Sequence, residues 1–188
     1  FSFTAPQDGL YRFSCFEACL WESDCHFSIT NVDGTVEANN LFMHGSEWYS
    51  RLAFLLKGDY VITVTEVPNI ATCLVTLEET YDSIVTSNFD NLTLPVTLGF
   101  TSNTIAPFNV HFTADGTKEK LVITTTGINN YYDYQQSFDL IIKESTGKIV
   151  LSEEYMEGNG VWDISDYRGE YVITITPHEN GVMKIEVE

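Results

Sequence analysis

Apolar and polar residues alternate in short bursts along the whole chain, and turn residues separate the bursts. Phe1-Ser2-Phe3-Thr4 alternates, Gln7-Asp8-Gly9 turns, and Leu10–Phe13 predicts the next strand. His26–Asn31 and Thr35–Ala38 flank an Asp33-Gly34 hairpin signal. Arg51–Leu56 leads through Lys57-Gly58 into Tyr60–Thr65, and Thr72–Leu77 closes this first set. A second set follows at Val110–Thr113, Lys120–Thr125, Phe138–Lys143, Lys148–Ser152, Val161–Ile164, Tyr171–Thr176 and Val182–Val187, with Thr146-Gly147 as its hairpin turn. No segment sustains a 3.6-residue period with caps. Short strands at such even spacing predict an all-β chain of antiparallel sandwich type, Ig-like or jelly-roll.

The two sets are copies of one unit. Lys57-Gly58-Asp59-Tyr60-Val61-Ile62-Thr63-Val64-Thr65 returns 111 residues later as Arg168-Gly169-Glu170-Tyr171-Val172-Ile173-Thr174-Ile175-Thr176. Phe27-Ser28-Ile29 matches Phe138-Asp139-Leu140 at the same offset, and Phe3-Thr4-Ala5 matches Phe112-Thr113-Ala114 at an offset of 109. The expected organisation is a sandwich over 1–82, a linker or edge strand over 83–104, and a second sandwich over 105–188. Within the linker, Leu92–Leu98 alternates cleanly and predicts a strand, and Pro95 confines it to an edge.

Composition narrows the function. Hydrophobic residues make up 44% of the chain and aromatic ones 13%, enough for packed cores. Against 27 Asp and Glu stand 9 Lys and Arg, a net charge of -18. Residues 1–82 carry 3 basic and 12 acidic groups, and residues 105–188 carry 6 and 14, so both units are acidic. Nucleic acid and anionic membranes need a basic footprint and are not expected partners. No run of 18 apolar residues predicts a spanning helix. The chain begins with Phe1 rather than Met, which is expected either of a processed mature chain or of chosen boundaries; processing would imply an extracellular or cell-surface protein. Four cysteines, Cys15, Cys19, Cys25 and Cys73, all fall in the first unit and read as local disulfides, with one bond tying Cys73 to the Cys15–Cys25 segment. A zinc site of Cys15, Cys19, Cys25 and His26 would have a spacing unlike the common zinc patterns.

Catalytic signatures are absent from the sequence: no G-x-S-x-G, H-E-x-x-H, P-loop or dinucleotide fingerprint occurs, and no enzyme is expected. His111 alternates within a strand and reads as solvent-facing, and His178 follows Pro177 in a turn. A Cys25–His26 pair could be nucleophilic only if Cys25 were a free thiol. Asn129–Gln136 gathers Tyr131, Tyr132 and Tyr134 among Asn, Asp and Gln, a composition suited to stacking on sugar rings, and Trp21 and Trp48-Tyr49 could act likewise. The plain alternative is that half of these tyrosines point into the core. Asp133 with Asp139, or Asp163 with Asp166, are candidate calcium ligands without an EF-hand spacing, so no cofactor is expected. Asp163 or Ser165 reads more plainly as a turn residue bonding the backbone. Asn91-Leu92-Thr93 is a glycosylation sequon.

The order Phe138–Lys143, Thr146-Gly147, Trp162-Asp163-Ile164-Ser165 and Gly169–Ile175 resembles bacterial secreted Ig-like modules. The first unit, from Phe3-Thr4-Ala5 to Gly58–Val64, is similar to accessory modules of the pre-peptidase C-terminal type. The resemblance implies extracellular, non-catalytic work: adhesion, assembly or substrate targeting. The expected function is therefore structural, a self-assembling surface or pilus-like fibre subunit in which Phe1 and Phe3 are donated to a neighbouring copy's sheet. The alternative is a carbohydrate-binding or enzyme-accessory module acting through Tyr131, Tyr132 and Tyr134.

Overall fold

The computed structural model describes residues 1–17, 24–34, 36–44, 50–65, 70–101, 104–127 and 137–188. The first unit holds β1 (Ser2–Ala5), β2 (Gly9–Glu17), β3 (Asp24–Asn31), β4 (Val36–His44), β5 (Ser50–Leu55), β6 (Gly58–Thr65) and β7 (Ile70–Glu79). They form two sheets, β1-β6-β3-β4 and β5-β2-β7. β8 (Leu92–Thr93) and β9 (Val96–Phe100) come next. The second unit continues with β10 (Phe108–Ala114), β11 (Lys120–Gly127), β12 (Ser137–Glu144), β13 (Ile149–Glu157), β14 (Gly160–Asp163), β15 (Gly169–Pro177) and β16 (Gly181–Val187). Its sheets run β13-β12-β15-β10-β8 and β14-β11-β16-β9. Each unit is a sandwich of two sheets whose inward residues alternate with outward ones, as in β11 and β15.

Setting the sheets side by side makes the duplication explicit. Strands β1, β6, β3 and β4 correspond to β10, β15, β12 and β13, and β5, β2 and β7 correspond to β14, β11 and β16. Phe3 is the Cα partner of Tyr60 and Ala5 of Gly58, and Phe112 is likewise the partner of Tyr171 and Ala114 of Gly169. Each aromatic pair stacks across its strands. Tyr60 donates its hydroxyl to the Leu56 carbonyl at 2.8 Å, and the Tyr171 hydroxyl lies 3.3 Å from the Arg168 carbonyl and accepts from the Arg168 N–H. One match needs correction. Phe27 pairs with Val64, but the residue opposite Ile175, the counterpart of Val64, is Leu140 rather than Phe138. The slip is two residues, which keeps the same face inward and so is invisible to the alternation. In an immunoglobulin constant domain A-B-E-D faces C-F-G, and the order here is different.

Among the described residues of 83–104, both strands join the sheets of the second unit. The expected single strand Leu92–Leu98 is two short strands on either side of the cis Leu94–Pro95 bond. β8 adds to one sheet, parallel to β10, and β9 adds to the other, antiparallel to β16. Each extends its own sheet at the border, so Pro95 needs no place inside a ladder. Among the described residues, no strand takes the equivalent places beside β1 and β7.

Each core spans both of its sheets. Tyr11, Phe13, Ile29, Leu55, Tyr60 and Ile62 fill the first, with Phe3 packed on Tyr11 and Phe13 edge to face. The second is dominated by Leu98, Leu121, Ile123, Leu140, Ile142, Ile173, Ile175 and Ile185, with Phe100 stacked on Phe108. A third cluster joins the units. Phe54 on β5 is fully buried with Leu10 and Val182, and its ring lies where a side chain on Gly99 would stand. The Phe54 N–H donates to Asn180 Oδ1 at 2.8 Å, and Asn180 Nδ2 donates to the Phe54 carbonyl at 2.9 Å. One buried side-chain amide thus satisfies a main-chain donor and acceptor of the outer strand β5, across the joint.

Candidate functional site

Among the described residues, a cluster of chemistry-bearing side chains lies in the second unit, where β12, β13 and β15 meet. Asp139 on β12 is its hub. One carboxylate oxygen accepts the Tyr155 backbone N–H at 3.0 Å, and the other sits 3.1 Å from His178 Nε2. Opposite Asp139, β13 carries two residues, Glu154 and Tyr155, where one is required; this is a β-bulge. The bulge holds Tyr155 at φ 54, a left-handed conformation unusual for an aromatic residue. It also turns the ring outward, 75% exposed, with its centroid 4.7 Å from that of His178.

Two further groups complete the cluster. Ser137 Oγ is 3.4 Å from His178 Nδ1, and the Ser137 carbonyl accepts the His178 N–H at 3.0 Å. Glu179 accepts the Ser137 N–H, and burial still pushes its carboxyl above the usual range. Asp139 is held below its ordinary value, mainly by the Tyr155 N–H and then by His178. Ser137, His178 and Asp139 share the residue types of a nucleophile–base–acid relay. Ser137 is a nearly buried strand residue, and its contact with His178 lies at the long end of hydrogen-bonding range. What the cluster presents to solvent is an aromatic ring braced by an imidazole and a carboxylate.

The residues singled out by sequence are dispersed. Tyr131, Tyr132, Tyr134, Asp133, Trp21, Trp48, Tyr49 and Cys19 lie outside the described residues. Cys15, Cys25 and Cys73 lie on β2, β3 and β7, and their side chains are outside what is described. Phe3 packs against the first unit's own core, and Phe1 is exposed beside it. β1 pairs with β6, and the Phe1 ammonium donates to the Ile62 carbonyl at 2.8 Å. Asn91 is exposed in the turn before β8, at φ 58. Asp163 accepts the Ser165 N–H at 2.9 Å and closes a turn. Among the described residues no three His, Cys, Asp or Glu groups converge on a metal position. His111 is exposed beside a groove of about 660 Å³ lined by Leu94, Phe112, Glu170 and Tyr171.

No protein-family model matches the chain, and no curated protein matches it. Among solved structures, the whole chain aligns at 9% identity and a TM-score of 0.29 with 79% of a Parabacteroides distasonis protein inferred to be secreted. It aligns at 11% identity and a TM-score of 0.16 with 77% of the stem and receptor-binding domain of spike protein P1 from bacteriophage PM2. At such scores the fold rests on the chain's own strand order.

Proposed function

We propose that this chain is a non-catalytic, extracellular structural protein that assembles with further copies of itself by adding strands at the open borders of its first unit. The observation that supports this is internal. The second unit shows the sandwich with β8 and β9 seated on one border of each sheet, and the first unit has the same places free beside β1 and β7 among its described residues. Unpaired backbone donors and acceptors along a border are a template for an incoming strand. Exposed apolar side chains mark both strands: Phe1 just before β1, and Leu74 and Leu77 on β7. On the counterpart β16, which β9 covers, the outward positions are Lys184 and Glu186 instead.

The N-terminal strand is thus an acceptor in this reading rather than the donated element. Removing residues 1–5 would take buried Ala5 and Phe3 out of the core, so it is a poor test of assembly. Leu74→Lys is the better one, because Leu74 is exposed. Light scattering and negative-stain imaging should show assemblies for the unaltered chain and monomers for the variant, with equal thermal midpoints. Assemblies that survive Leu74→Lys at unchanged size would rule out β7 as the contact.

The exposed Tyr155 ring favours a second reading, a carbohydrate-binding accessory module. A braced, solvent-facing tyrosine offers a stacking surface for a sugar ring, and the neighbouring carboxylate can accept from hydroxyls. A glycan array probed with the unaltered chain and with Tyr155→Ala separates the two. Binding that disappears in the variant selects the carbohydrate reading, and silence from both proteins removes it.

A further inference from the structure

We propose that Cys15 and Cys73 are joined by a disulfide that clamps β2 to β7 in the first unit. Backbone register brings the two residues opposite each other. The cysteine spacing leaves three pairings open for four cysteines, and the β2–β7 ladder makes Cys15 and Cys73 Cα partners, between the pairs Ser14–Leu74 and Phe16–Thr72. Directly opposed residues of an antiparallel pair have Cα atoms about 4.5 or 5.5 Å apart, depending on the kind of pair. Both separations fall within the range of about 4.4–6.8 Å that a disulfide spans. Among the described residues, the Cα partner of Cys25, on β3 in the facing sheet, is Met43.

The bond closes a long loop, since Cys15 lies near the start of the first unit and Cys73 on its last strand. Its formation needs an oxidant, which a low-molecular-weight disulfide supplies by exchange. One thiolate attacks that disulfide and releases a thiol. The second protein thiolate then displaces the other half as a second thiol, leaving the Cys15–Cys73 bond. Two protein thiols are oxidised and one small disulfide is reduced.

The test is peptide mapping of the full chain after equilibration in a mixture of oxidised and reduced glutathione. Remaining thiols are alkylated, and the protein is cleaved without reduction by a glutamate-specific protease together with chymotrypsin. Glu17 and Phe16 separate Cys15 from Cys19, and Glu22 and Trp21 separate Cys19 from Cys25. The expected result is a crosslinked species containing Cys15 and Cys73 and lacking both other cysteines. Cys73 linked to Cys19 or Cys25, or Cys73 recovered alkylated, overturns the assignment. As an independent readout, Cys15→Ala with Cys73→Ala should lower the melting midpoint of the oxidised protein by about 10 °C or more. An unchanged midpoint also counts against the bond.

Discussion

The two units share strand order and the register of their central aromatic pair, yet they are stabilised differently. The second has a border strand on each sheet beyond the common seven, and a broad aliphatic core from Leu98 to Ile185. The first lacks those two strands among its described residues, leans on the aromatic contacts of Phe3, Tyr11, Phe13 and Tyr60, and carries all four cysteines. Fewer strands bury less apolar surface, and small domains then need covalent staples. On the proposed Cys15–Cys73 bond, one architecture reaches stability by two routes: extra sheet in one copy, cross-linking in the other.

The largest effect that could break this comparison comes from separating the units. A fragment of residues 83–188 should fold and unfold cooperatively in reducing and non-reducing buffer alike. A fragment of 1–82 should lose its cooperative transition when reduced. Thermal melts by circular dichroism check both, and a reduced 1–82 that melts as sharply as 83–188 would refute the contrast.

Next in size is the joint. Asn180→Ala strips the main chain of Phe54 of a buried donor partner and a buried acceptor partner. Each orphaned group costs about 1–3 kcal/mol, so a total of about 2–6 kcal/mol is expected in chemical denaturation. The loss should uncouple the units and turn one transition into two. A single transition with an unchanged midpoint would show that the units are held together elsewhere.

The smallest effect sharpens the view of the second unit's polar end. Burial raises the Glu179 carboxyl above its ordinary value, so the folded state holds its proton to higher pH than the unfolded chain. Stability contributed by this group is greatest at acid pH and declines as pH rises from the ordinary carboxylate range through the raised one. Glu179→Gln should match the unaltered chain near pH 4 and melt about 1–3 °C higher at pH 7. Parallel midpoint-versus-pH curves for the two proteins would contradict this.

Much of the fold was legible in the chain. The G-[DE]-Y-V-I-T signature located β6 and β15 and, through Phe3 and Phe112, the strands beside them, because a glycine turn and a period-2 face are local properties. What escaped was decided by contacts distant in sequence. Alternation runs unbroken through Leu92–Leu98, and period alone does not say that the chain changes sheets at Pro95. The site was harder still. Tyr131, Tyr132 and Tyr134 drew attention as a composition, and Tyr155 did not. Its one local mark is the broken alternation of Ser152-Glu153-Glu154-Tyr155, which signals a bulge only once Asp139 is known to lie opposite. Glu179-Asn180-Gly181 reads as an ordinary hairpin turn, and nothing nearby in the chain reveals that Asn180 is buried against another unit.

The contact between the Phe54 ring and Gly99 ties the sequence of one unit to that of the other. A side chain at residue 99 would occupy the space of that ring, so it can be added only if the ring moves or is made smaller. The two sandwiches are therefore not interchangeable parts: a substitution on one side of the seam has to be answered on the other.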